Sequence, residues 1–180
     1  MSEHGQITMS PQGDVVAGSM VTLTFTYTVG ELGMPEGGSL RLAMPNDAWG
    51  WPEVPHHRFF QAGHDRGGYD DGYVGYGRKN TLVEVETDGE AWVDLAAEER
   101  CPTAGLKGGW SHNIAAIVRD GDLQPGDRII ITYGDTTWGE DGAEVPRVAA
   151  TDKDHFHGYV DVAGEREFIE LPPDDLMIRV

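Results

Sequence analysis

The sequence predicts an all-β protein, a single antiparallel β-sandwich of the immunoglobulin-like or jelly-roll-like kind over residues 1–180. The clearest observation is an alternating run in which Val21, Leu23, Phe25, Tyr27 and Val29 are apolar and every intervening residue is threonine. This period of two is typical of a half-buried strand. Two further observations agree: turn-forming Gly, Pro and Asp residues separate the other short apolar runs, and no stretch carries an apolar stripe of helical period.

The other predicted strands are short runs rich in β-branched or aromatic residues, each bounded by turn residues. They are Leu40–Met44, Thr81–Glu86, Ala91–Leu95, Ile114–Val118, Ile129–Tyr133, Phe156–Val162, Phe168–Leu171 and Leu176–Val180. Residues 94–100 are also compatible with one or two helical turns. A chain of 180 residues with 39% hydrophobic residues fits one domain with a full core.

Composition and charge exclude several classes of function. The net charge is −18 with only three lysines, so neither nucleic acid nor an anionic membrane is expected as a partner. Cys101 is the single cysteine, which excludes an internal disulfide and sites built from several cysteines. No apolar run of membrane-spanning length and no signal peptide is visible, so the sequence as it stands indicates a cytoplasmic protein, with export left open for a longer precursor.

A long segment without strand character, residues 45–79, interrupts the alternation of strands and turns. Connections of 35 residues are rare and usually functional or unordered. This one is rich in aromatic residues, which disordered linkers are not, so it is predicted to be an ordered functional loop. The candidate ligand-binding residues are its aromatic side chains and two further loop tryptophans: Trp49, Trp51, Phe59, Phe60, Tyr69, Tyr73, Tyr76, Trp110 and Trp138. The competing interpretation is that Trp49 and Trp51 cap the open end of the sandwich core.

Several motifs resemble those of a known family. The run 17–19, the strand 24–30, the glycines at 33, 37 and 38, the Trp49-Gly50 pair, the turn Asp122–Ile129 and the run Tyr133-Gly134-Asp135 carry the likeness. Together with the closing stretch 160–180, they resemble the N-terminal β-sandwich of the bacterial domain-of-unknown-function 3604 family. In larger members this sandwich precedes a domain similar to metal-dependent phosphoesterases, and the metal ligands belong to that later domain. The resemblance implies an accessory domain or subunit, and it carries over no catalytic residue.

Histidines form the second candidate site. His155 and His157 lie two apart in a predicted strand, so both rings are expected on one face with Tyr159 and Asp161, while Phe156 and Val160 point inward. Two such imidazoles suit zinc, manganese or iron when further ligands join them. The predicted sources of those ligands are Asp152, Asp154 and the loop residues His56, His57, His64 and Asp65. The loop imidazoles are also the predicted general bases, with the Asp65 carboxylate orienting one of them. The alternative is that His155 and His157 are solvated on an exposed face.

Two functions follow from these patterns. The leading prediction is a non-catalytic binding or assembly module for a carbohydrate-like ligand or an enzyme subunit, with no cofactor. The alternative is a small metal-dependent hydrolase or lyase that holds a divalent transition metal where residues 56–71 meet His155 and His157. Because an open sandwich leaves strand edges to be covered or paired, a homo-oligomer is a third expectation.

Overall fold

A computed structural model describes residues 2–43, 81–98, 113–137, 142–145, 156–172, 176 and 178–179. Among these residues the structure has strands and no helix. The described part of the chain therefore contains no helix that is long and apolar enough to span a membrane. The strands are β1 (Gln6–Ser10), β2 (Gly13–Asp14), β3 (Met20–Val21), β4 (Leu23–Thr28), β5 (Ser39–Ala43), β6 (Thr81–Glu86), β7 (Trp92–Glu98), β8 (Asn113–Arg119), β9 (Arg128–Tyr133), β10 (Ala143–Glu144), β11 (His157–Asp161), β12 (Ile169–Glu170) and β13 (Ile178–Arg179).

Two antiparallel sheets pack face to face, which confirms the predicted β-sandwich. One sheet has the strand order β1-β4-β9-β6, and the other has the order β12-β11-β5-β8-β7. Two small pairs flank them: β10 pairs with β3 antiparallel, and β13 pairs with β2 parallel. Consecutive strands often lie in different sheets, so the fold is held by non-local pairing.

The core fills the space between the sheets with the residues that the alternation predicted. Leu23, Phe25 and Tyr27 on β4 are fully buried, while the threonines between them are partly exposed. From the other sheet Leu40 and Leu42 enter the same core. Phe25 meets Phe156 edge to face, with ring centroids 4.8 Å apart and planes at 64°. Burial of one apolar face from each sheet therefore stabilises the sandwich.

Several boundaries differ from the sequence prediction. The run 21–29 is two strands rather than one, because the chain breaks at Thr22, whose hydroxyl donates to the Gly134 carbonyl at 2.8 Å. The helical turns considered for residues 94–100 are wrong over 94–98, which continue β7 as far as Glu98. Ladder pairing with β8 decides this segment, because tertiary pairing overrides a weak helical preference. Strand β1 was not predicted, since only Ile7 and Met9 alternate there.

The two ends of the sandwich differ in their connections. At one end, the Met34 end, short links join β4 to β5, β6 to β7 and β8 to β9. Met34 and Leu123 exchange backbone hydrogen bonds of 2.9 and 2.8 Å there, which ties two of these links together. Asp127 accepts from the Gln124 amide and the Thr87 hydroxyl at 2.8 and 2.7 Å. Residues of the turn motif Asp122–Ile129 therefore stabilise the links at this end.

Tyr27 makes the fold less stable at alkaline pH. Its hydroxyl donates to the His4 carbonyl at 2.9 Å, and burial raises its pKa well above the ordinary value of about 10, although the Gly30 backbone lowers it somewhat. Because the folded protein favours the neutral phenol, this stabilisation is complete below the unfolded-state pKa and declines as the pH rises above it. We expect the free energy of unfolding to fall by up to about 1.4 kcal/mol per pH unit above pH ~10 from this residue alone.

The Tyr27→Phe variant isolates this effect. Urea unfolding between pH 7 and 12 should give the variant a shallower alkaline decline than the wild type, with about 1 kcal/mol lost at neutral pH because the hydrogen bond is gone. Parallel alkaline slopes for the two proteins would contradict the assignment.

Candidate functional site

The opposite end of the sandwich, here the Ala43 end, gathers the strand ends next to every candidate segment. In the five-stranded sheet, register pairing places His157, Ala43, Asn113 and Glu98 in one row across four strands. In the four-stranded sheet, Leu23, Tyr133 and Thr81 form the corresponding row. Because the short links lie at the Met34 end, both rows belong to the other end.

These strand ends border the segments that the sequence singled out. Residues 45–79 lie between Ala43 and Thr81 in the chain, Trp110 lies between Glu98 and Asn113, and Trp138 and His155 lie between Tyr133 and His157. The predicted site residues outside the described part of the chain are Trp49, Trp51, His56, His57, Phe59, Phe60, His64, Asp65, Tyr69, Tyr73, Tyr76, Trp110, Trp138, Asp152, Asp154 and His155. His157 is the candidate that the structure describes.

His157 is buried, so the alternative that placed it on a solvated face is wrong for this residue. Only 5% of its side chain is exposed, on the face of β11 that points away from the inter-sheet core. Its Nδ1 lies 2.8 Å from the Glu170 carboxylate oxygen Oε1. Glu170 is the register partner of Tyr159 on β12, so it is the diagonal neighbour of His157 on the same face.

Aromatic and cationic side chains surround this pair, and together they form the His157 cluster: His157, Glu170, Tyr159, Phe168 and Arg41. The rings of His157 and Tyr159 stack with centroids 6.2 Å apart and planes at 22°. Phe168 packs against Tyr159, and the Arg41 guanidinium lies 4.5 Å from the centre of the Phe168 ring. Arg41 also donates to the Ser39 hydroxyl. The outer face of the sheet therefore carries a second buried layer with ionisable groups in it.

The predicted division of β11 into two faces holds. Phe156 and Val160 belong to the inter-sheet core, whereas His157 and Tyr159 lie on the outer face. Asp161 is also buried, but its carboxylate accepts the Glu165 and Arg166 amides at 3.1 and 2.9 Å. Asp161 is therefore occupied in shaping the turn after β11.

Two more buried polar residues lie at the Ala43 end. Thr81 begins β6 with 3% exposure, and among the residues that the structure describes its hydroxyl oxygen meets no hydrogen-bond partner. Asp135, two residues after β9, accepts from the amide and the hydroxyl of Thr137 at 3.2 and 2.6 Å. Three of the five buried polar residues in the described chain, namely Thr81, Asp135 and His157, thus lie at or beside this end.

The described residues offer one candidate metal ligand, His157, with a carboxylate beside it. Among them, no group of three or more His, Cys, Asp or Glu side chains is arranged to hold a metal ion. The His157–Glu170 contact nevertheless has the form of the carboxylate that orients a metal-binding or proton-accepting imidazole. Sequence reasoning missed Glu170 because its contact with His157 depends on the pairing of β11 with β12, which no local pattern encodes.

The fold defines the class of the protein, a β-sandwich. No family model matches the chain, and no curated protein matches it either. The likeness to the domain-of-unknown-function 3604 sandwich therefore stays a prediction drawn from the motifs.

Proposed function

We propose that the chain is a non-catalytic, immunoglobulin-like binding or assembly module that takes its ligand at the Ala43 end. The observation that supports this is the position of the strand ends: Ala43, Thr81, Glu98, Asn113 and His157 all lie there. Every segment with candidate aromatic or histidine residues is joined to the fold through this end. The Met34 end carries the short, mutually bonded links.

The difference between the two ends of the sandwich has a physical basis. A closed core between two sheets supplies rigidity, and variable loops at one end of a sandwich supply contact residues at little cost to the fold. The loop segment 45–79 alone contributes seven aromatic side chains. Tyrosine and tryptophan offer large contact areas with a polar tip, which suits both sugar rings and protein partners.

The charge narrows the kind of ligand. With a net charge of −18, the chain repels polyanions over the Debye length of about 10 Å at 0.1 M salt. Neutral sugars and neutral or cationic protein surfaces meet no such barrier. We therefore propose a carbohydrate-like ligand as the leading candidate. A protein subunit is the second candidate that the charge allows.

A panel of immobilised neutral glycans tests the proposal. We expect concentration-dependent binding of the full chain to at least one glycan, and a loss of at least about tenfold in the Trp49→Ala/Trp51→Ala variant, because removing stacked aromatic anchors costs more than about 1.4 kcal/mol. Leu32→Ala is the matched control, since Leu32 is an exposed apolar side chain (54%) at the Met34 end. Equal losses in both variants, or no glycan bound by the wild type, would count against the carbohydrate proposal.

A metal-dependent hydrolase or lyase is the second candidate, and the His157–Glu170 contact favours it. With the carboxylate 2.8 Å from Nδ1, Nε2 is the ring nitrogen that would bind a metal. The ligands that would join it are the predicted His155 and the acidic and histidine residues of segments 56–65 and 152–154. A bound divalent metal would polarise a substrate or activate water.

Elemental analysis of the purified, untagged chain separates the two candidates. The metal candidate predicts about one equivalent of a transition metal, lost in the His155→Ala/His157→Ala variant. His4→Ala is the control, because His4 belongs to none of the segments that would supply ligands, and this change should leave the metal content unaltered. Metal-free wild-type protein that also takes up no Zn²⁺ on dialysis would remove this candidate.

A further inference from the structure

We propose that Glu170 is a positioning residue: it holds His157 in the tautomer whose proton is on Nδ1, so that Nε2 carries the lone pair. His157 then brings an electron-pair donor, and not an N–H, to the Ala43 end. The consequence for ligand binding rests on the proposed function. The tautomer itself does not, because it is a property of the protein without ligand.

The contact itself determines the position of the proton. At neutral pH a glutamate carboxylate only accepts hydrogen bonds. A distance of 2.8 Å between Nδ1 and Oε1 is that of a short, charge-assisted bond, so Nδ1 is the donor. A neutral imidazole has one N–H, and Nε2 is therefore its acceptor nitrogen.

The surrounding strands fix both partners in this arrangement. Glu170 is placed by the β11–β12 ladder, and the next residue, Leu171, donates its amide to the Gly158 carbonyl at 2.8 Å and buries its side chain in the core. Gly158 leaves room for the Ile7 side chain of the facing sheet, because a Cβ there would lie 3.0 Å from Ile7 Cγ2. His157 is held by the stacked Tyr159 ring. The edge strand β12 thus sets the chemistry of a residue in the proposed site.

The tautomer specifies the chemical class of the group that His157 contacts. A lone pair on Nε2 binds an electron-pair acceptor, which is either an O–H or N–H donor or a divalent transition metal ion. A sugar hydroxyl is a donor of the first kind. In this tautomer Nε2 carries no proton, so it cannot donate a hydrogen bond to an anion or a carbonyl oxygen.

Long-range ¹H–¹⁵N spectra of the labelled full chain at pH ~8.5, above the ordinary histidine pKa of about 6.5, read the tautomer directly. The His157→Asn variant assigns the signals. We expect Nδ1 protonated and Nε2 unprotonated in the wild type. Glu170→Gln should keep this pattern because its amide oxygen still accepts, whereas Glu170→Ala should move the proton to Nε2 in most molecules. Glu167→Ala, an exposed carboxylate before the same strand, is the matched control and should change nothing.

Several results overturn the proposal: wild-type His157 protonated at Nε2, His157 protonated at both nitrogens, or a folded Glu170→Ala protein with the wild-type tautomer. The wild-type spectrum decides even if Glu170→Ala fails to fold. Addition of ZnCl₂ then distinguishes the two acceptors. A Zn²⁺-induced change confined to the His157 Nε2 signal supports the tautomer with a metal as partner, and an unprotonated Nε2 that ignores Zn²⁺ supports it with a hydrogen-bond donor. Absence of glycan binding by the wild-type chain would count against the carbohydrate proposal and leave the tautomer result intact.

Discussion

Replacing Phe25 by alanine is expected to lower the free energy of unfolding by about 3–5 kcal/mol. Phe25 is fully buried on the inner strand β4 between Met9 and Ile131, and its ring centroid lies 4.8 Å from that of Phe156, which directly precedes β11 of the other sheet. The alanine removes a ring that joins both sheets and leaves a cavity that the surrounding strands cannot collapse around. Since domains are stable by only about 5–15 kcal/mol, much of the fold's stability depends on this ring.

Urea unfolding followed by circular dichroism measures the loss, and urea is preferred to guanidinium because it does not screen the chain's net charge of −18. Val16→Ala serves as the control, because Val16 is 74% exposed and its truncation should change stability by no more than about 0.5 kcal/mol. A Phe25→Ala loss below about 1 kcal/mol would mean that the two sheets do not pack through this residue.

The second large effect is expected at Gly134, which follows β9. Its φ of 75° lies in the left-handed region, where a side chain costs about 1–2 kcal/mol. A Cβ there would also overlap the Val21 carbonyl oxygen and lie 2.6 Å from the Ala143 nitrogen. The backbone of the β3–β10 pair cannot move aside cheaply, so Gly134→Ala should cost about 1–3 kcal/mol more than backbone strain alone.

Gly37→Ala separates the two contributions. Gly37 has a φ of 90°, but a Cβ there meets nothing within 4 Å, so its replacement costs only the backbone strain. The difference between the two variants in urea unfolding measures the steric overlap. Equal losses would show that the close approach of β3 and β10 to Gly134 is absent in solution.

The fold was predictable to the extent that residues alternate along a single strand. The run from Val21 to Val29 identified the central strand, and Thr81–Glu86 was predicted with its exact bounds, because one face of each meets the core. Strand pairing was not predictable. Residues 94–98 carry no signal for their partner β8, and the break at Thr22 depends on a carbonyl 112 residues further along the chain.

The candidate site was also predictable along a single strand but not across strand pairs. Alternation correctly separated His157 and Tyr159 from Phe156 and Val160. It could not predict that the outer face is buried too, since an antiparallel sheet commonly exposes that face to water. Glu170 reaches the His157 cluster through the pairing of β11 with the next strand, β12, and Arg41 reaches it through the pairing of β11 with the distant strand β5. Single-sequence patterns report neither pairing.

The central claim is that the aromatic candidates gather at the Ala43 end, and a nitroxide on Cys101 tests it most directly. Cys101 is the only cysteine, and three residues of chain keep it within about 11 Å of Glu98 at that end. Trp92 is the internal control: it begins β7, roughly 20 Å from Glu98 at ~3.3 Å per residue, and its indole donates to Asp120.

The five tryptophan indole N–H signals, assigned by single Trp→Phe changes, report the distance of each indole from the nitroxide. We predict strong broadening for Trp49, Trp51, Trp110 and Trp138 and a sharper Trp92 signal. Broadening greatest at Trp92, with the other four signals sharp, would contradict a site at the Ala43 end.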